Sequence, residues 1–144
     1  MPTRRRRADA QAPAPPTEEN RPRPYVIVDF VFEQGLFSIA IENIGDRPAV
    51  GLSIAFDKTF HGAGGQVIPT MAIFEGIPFL APRRRITTLL DSSAAYYARH
   101  EPTDITVTVT YSDSSGAAFK DAMRHDLAIY RDVRYPSAPR QEEP

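Results

Sequence analysis

The sequence predicts an all-β fold, a two-sheet antiparallel sandwich, and three observations carry that expectation. Apolar residues recur at every second position in four separate runs, the period of a strand with one dry and one wet face. Glycine, proline and Asx-rich turns punctuate those runs at short spacing, as in all-β domains. At 144 residues the chain has room for one domain and one core.

The first 24 residues hold six of the fourteen prolines and no Val, Ile, Leu, Phe or Tyr, so nothing there offsets the entropy of ordering. Residues 1–24 are therefore expected to be a disordered Arg/Pro-rich arm, and 132–144 a disordered tail. Between them, "YVIVDFVF" sets Val26, Val28, Phe30 and Phe32 on one face. Gln34-Gly35 is a tight-turn signal, after which Phe37, Ile39 and Ile41 share a face against Ser38, Ala40 and Glu42. "IENIGDRPAV" then reads as a corner, with Asn43 and Gly45 suited to positive φ, Asp46 capping locally and Pro48 fixing the next strand's start. That strand, "AVGLSIAFD", points Val50, Leu52, Ile54 and Phe56 inward.

"DKTFHGAGGQVIP" is a glycine-rich loop touching a short strand at Gln66–Ile68. "MAIFEGIPFLAP" is apolar but broken by Gly76, Pro78 and Pro82, which suits an irregular or edge segment passing between sheets. "RRRITTLL" reads as a strand and "DSSAAYYARH" as a short helix capped by Asp91 or Ser92. "DITVTVTY" alternates Ile105, Val107, Val109 and Tyr111 with threonines. The segment after it fits a helix through Phe119, Ala122, Met123, Leu127 and Tyr130, or a strand through Phe119, Met123, Leu127 and Ile129. Propensity favours the helix. The hairpin turn "SDSSG" and the need for a pairing partner favour the strand, which is the reading adopted.

Together these elements describe an immunoglobulin-like antiparallel β-sandwich of about seven strands with one short helix, spanning 25–131. The strand–turn–strand stretch Asn43 to Leu52, with "PFLAPRRRITTLL" and "DITVTVTYSDSSGAAFKDAMRHDLAIY", resembles bacterial immunoglobulin-like accessory domains of the CARDB type. "RPRPY", Arg21 to Tyr25, is similar to the junction in uncharacterised bacterial membrane-tethered proteins, where "RPY" follows a membrane helix; here a proline-rich arm precedes it. The resemblance covers about Arg21 to Arg131 and implies fold and an accessory role, with no catalytic residue to carry over.

Composition narrows the chemistry. Lys and Arg total 17 against 18 acids, so no global field draws the chain onto polyanions. The absence of cysteine removes disulfides, thiolate catalysis and Cys-based metal sites. His61, His100 and His125 lie in no metal-ligand spacing, "GAGG" lacks a βα context, and no G-x-S-x-G elbow occurs. No enzyme activity, cofactor or metal is therefore expected.

No leader or spanning run is read, so a cytoplasmic location is expected, with peripheral membrane association as the alternative; the arginine-rich composition fits a bacterial source. The expected function is a protein-interaction or accessory module whose partner is another protein. Candidate contacts are Phe74, Ile77, Phe79, Arg83 and Arg85, together with the Phe60–Ile68 loop and the Ser112–Gly116 turn. The alternatives are an anionic polymer (nucleic acid) or membrane-surface binder working through Arg4, Arg5, Arg6 and Arg7, and a structural subunit of a bacterial or phage assembly.

Overall fold

The computed structural model describes residues 22–136. Seven strands form two antiparallel sheets: β1 (Val26–Glu33), β2 (Leu36–Asn43), β3 (Ala49–Phe56), β4 (Ile77–Leu80), β5 (Arg85–Ser92), β6 (Asp104–Ser112) and β7 (Ala118–Asp126). One sheet has the order β1-β2-β5 and the other β4-β3-β6-β7. The chain crosses between sheets after β2, β4 and β5, while β1–β2, β3–β4 and β6–β7 are neighbours within a sheet. Two short helices, α1 (Ala72–Glu75) and α2 (Ser93–Ala98), lie in the connections.

The alternating runs become the core. Val26, Val28 and Phe30 of β1, Phe37, Ile39 and Ile41 of β2, and Ile105, Val107 and Val109 of β6 are buried between the sheets. β3 departs from strict alternation. Gly51 sits at φ +62 where the β3–β6 register shifts, so Ala49 and Leu52 both face inward and Val50 is half-exposed rather than a core residue. Beyond the turn, residues 118–126 form β7, which settles the strand reading. Leu127–Tyr130 then curls into a 3-10 turn that buries Leu127 and exposes Ile129, so the inward position expected of Ile129 is not taken.

The corner after β2 has a different cause from the one its residues suggested. Neither Asn43 nor Gly45 adopts positive φ. Gly45 is required by close approach, because a Cβ there would stand 2.3 Å from the Arg23 carbonyl oxygen and 2.6 Å from the Tyr25 nitrogen. Ser92 is the cap of α2, its Oγ accepting from the Ala95 N–H at 3.2 Å. Contacts also run past both ends of 25–131. The Arg23 guanidinium lies 4.1 Å from the Phe119 ring centre and donates to the Tyr111 hydroxyl, and Tyr135 meets Phe32 edge-on at 6.0 Å.

Candidate interaction surface

The two lateral sides of the sandwich are finished differently. On one side β1 and β7 are the sheet edges, and β1 is sealed by side chains. The Val28 N–H donates to Met123 Sδ at 3.4 Å, its carbonyl accepts from His125 Nε2 at 2.8 Å, and the Val26 N–H donates to the Tyr111 hydroxyl at 3.2 Å. Those bonds fix which way each residue's backbone points, since successive residues of an antiparallel strand alternate sides. Val28 points away from β2, so its opposite number Ile41 points toward β5 and pairs with Ile86. The Asn43 N–H, which reaches the Arg84 carbonyl at 3.0 Å, agrees with this phase.

It follows that the backbone groups of Arg85, Thr87 and Leu89 point outward from the other edge. Among the described residues nothing hydrogen-bonds to them. Their side chains stand on the outer face of the β1-β2-β5 sheet, where Leu89 is 54% and Leu36 48% exposed. A groove of about 420 Å³ runs there, lined by Val31, Glu33, Leu36, Ser38, Arg85 and Thr87.

β4 is the edge of the second sheet on this same open side. Phe79, opposite Val50, turns outward and is 59% exposed. Phe74 and Ile77, expected beside it as contacts, are core residues at 1% and 9% exposure; the bend at Gly76 and the pairing of Ile77 with Leu52 turn both inward. They are unavailable to a partner.

Between β4 and β5 the chain turns at Ala81–Arg84, closed by the Arg84 N–H to the Ala81 carbonyl at 3.2 Å. Pro82 precedes Arg83 at φ +65, the arrangement of a type II turn. Arg83, Arg84 and Arg85 are all exposed, and among the described residues none has a carboxylate within ion-pair distance. Arg83 and Arg84 therefore carry uncompensated positive charge, while Arg85 stands directly opposite Glu42 of β2 without closing an ion pair. The N-terminal candidates Arg4, Arg5, Arg6 and Arg7 lie outside the described residues.

The remaining candidates are tied into structure. The Phe60–Ile68 loop is pinned at both ends by buried Phe60 and Ile68, and by the His61–Val67 bridge. In the β6–β7 turn, Asp113 Oδ1 accepts from the Ser115 hydroxyl at 2.7 Å and from the Ser115 and Ala117 N–H groups. Those bonds, the hydroxyl foremost, hold the Asp113 carboxyl below its ordinary pKa.

At the opposite end Arg99 bridges Asp91 and Glu101, and Glu101 also accepts from the His61 N–H at 2.9 Å. Burial opposes the Glu101 charge, but the bonds from His61 and Arg99 outweigh it and hold its pKa below the ordinary value. This network joins the loop to α2 and β5 and contains no nucleophile. Among the described residues no three His, Asp or Glu side chains converge as metal ligands, and no helix is long and apolar enough to cross a membrane.

Leu36 and Leu89 are the surface residues that sequence reasoning missed. The spacing Arg85-x-Thr87-x-Leu89 held the signal, since it puts all three on one face of a strand.

No curated protein matches the chain. A solved structure described as the X-ray structure of Northeast Structural Genomics Consortium target SoR45 aligns over 82% of this chain and 96% of its own, at 19% identity and a TM-score of 0.30. Residues 4–131, most of the chain, fit the model of one family, and the protein therefore belongs to the Domain of unknown function (DUF8453) family.

Proposed function

We propose that this domain is a non-enzymatic, immunoglobulin-like interaction module that binds another protein on its open lateral side. The strand orders β1-β2-β5 and β4-β3-β6-β7, with crossovers between sheets, support the immunoglobulin-like reading. The observation that carries the binding reading is the pairing of a protruding aromatic with uncompensated charge. Phe79 projects from edge strand β4, and the chain then turns directly into Arg83, Arg84 and Arg85. An aromatic anchor and, four residues on, an exposed arginine run on the same open side are the composition of a protein-binding surface, and its charge calls for an acidic partner.

Selection of a random peptide library on the immobilised full chain tests this reading. Phe79→Ser removes a mostly exposed side chain and is expected to change stability by no more than about 0.5 kcal/mol. The selected peptides are expected to be rich in Asp, Glu and apolar residues, and to bind F79S and an R83E/R85E variant about tenfold more weakly, a loss of about 1.4 kcal/mol. Peptides that bind all three proteins equally would remove this surface from consideration.

A further inference from the structure

Resting on that reading, we infer that the β5 edge accepts an added strand: an extended, acidic segment of a partner protein pairing with the backbone of Arg85, Thr87 and Leu89. An unpaired strand edge is a template for another chain, and folded proteins normally blunt it. Here β1 is blunted by Tyr111, Met123 and His125, and β4 is only four residues long and contains Pro78. β5 has no proline and two threonines, and although Gly62 packs against the Leu90 carbonyl near its far end, the outward N–H and C=O groups of Arg85, Thr87 and Leu89 meet no partner among the described residues.

Both side-chain pattern and charge say what fits. Arg85, Thr87 and Leu89 carry outward backbone groups and also stand on the outer face beside the groove containing Val31 and Leu36. A strand added to β5 lays alternate side chains on that same face, where an apolar residue packs against Leu89 and Leu36 and a carboxylate meets Arg85. Arg83 and Arg84 extend the positive charge past the start of β5. A second copy of this chain fits less well. Antiparallel β5–β5 pairing sets Arg85 against Leu89, and Asp91, the carboxylate that this register brings to Arg83, is already held by Arg99 and is 8% exposed.

The probe is a capped heptapeptide of alternating Glu and Val, titrated onto the full chain and followed by NMR. Binding is expected, with slowed amide exchange at Arg85, Thr87 and Leu89, and with no binding of the Lys/Val counterpart. N-methylation of the peptide amides that face β5 is expected to weaken binding about tenfold, the loss of one or two hydrogen bonds. Thr87→Pro is expected to do the same while leaving the fold intact, because the Thr87 N–H takes no part in the β2–β5 ladder.

Unchanged binding after N-methylation would overturn strand addition while leaving the module reading standing, provided F79S still weakens the library-selected peptides. Binding that F79S, R83E/R85E and T87P all leave unchanged would overturn both. Self-association in sedimentation that T87P abolishes would assign the edge to a second copy instead. Capture of a DNA duplex or anionic vesicles without the peptide would assign the arginines to a different class of partner.

Discussion

Asn43 has no exposed surface, yet its amide uses all four of its hydrogen-bonding positions. Nδ2 donates to the Arg47 and Leu80 carbonyls at 2.8 and 3.1 Å, and Oδ1 accepts from the Tyr25 and Gly45 N–H groups at 3.1 and 3.0 Å. One side chain thereby ties the start of β1, the end of β2, the corner and the end of β4. Asn43→Ala leaves the buried Leu80 carbonyl and three part-buried backbone groups without their partner, and a loss of about 1–3 kcal/mol in urea unfolding is expected. Asn43→Asp keeps the size but turns a carboxylate oxygen toward two carbonyls. Its penalty is expected to be largest at neutral pH and to shrink as acid restores a donor, which the same unfolding series read against pH will check. Gly45→Val is expected to cost stability through collision with the Arg23 and Tyr25 backbone rather than through a strained φ. The sequence marked this cluster as a corner and missed the reason, because the close approach of Gly45 to Arg23 and Tyr25, about 20 residues earlier in the chain, is invisible to local turn grammar.

Among the elements, the two edges of the β1-β2-β5 sheet invite a direct comparison. Sealing β1 with His125 and Met123 predicts that removing the seal unblunts it. A Met123→Leu, His125→Leu double variant frees both backbone groups of Val28, and concentration-dependent self-association in sedimentation is the expected outcome. Unchanged monomeric behaviour would show that the seal has no such role. In α2 the single Ser92 cap bond predicts that Ser92→Ala lowers stability by about 1 kcal/mol, measurable as a shift in urea midpoint. Strand existence was legible because β1, β2, β3 and β6 bury one face each, and burial of one face writes period two into the sequence. The bulge at Gly51 and the four-residue α1 were not legible, since neither leaves a periodic signature.

For the molecule as a whole, the two ends differ in chemistry. One end gathers the free arginines; the other carries the Asp91, Arg99, Glu101 and His61 network that fastens the long loop to α2. The Glu101 pKa is depressed in the fold, so its contribution to stability is present above the ordinary value of 4.5 and lost as pH falls through the folded one. The wild-type urea midpoint is accordingly expected to drop as pH is lowered below about 4.5, with Glu101→Gln starting lower and showing less of that drop. An identical acid response in both proteins would show that Glu101 contributes nothing to it.

The sequence alone determined an antiparallel sandwich, because alternation and turn chemistry are local properties of β1, β2, β3 and β6, while the structure decided that 118–126 is a strand rather than a helix. The sequence also determined that the Arg83–Arg85 run and Phe79 belong near an edge. Only the tertiary structure decided that Phe74 and Ile77 are core while Phe79 is surface, since an apolar residue looks the same in either place until the elements pack around it. The tertiary structure likewise decided which edge is closed and which is open. That depends on side chains of β6 and β7 reaching across to β1, more than 80 residues away along the chain, a distance over which no sequence pattern reports hydrogen bonds.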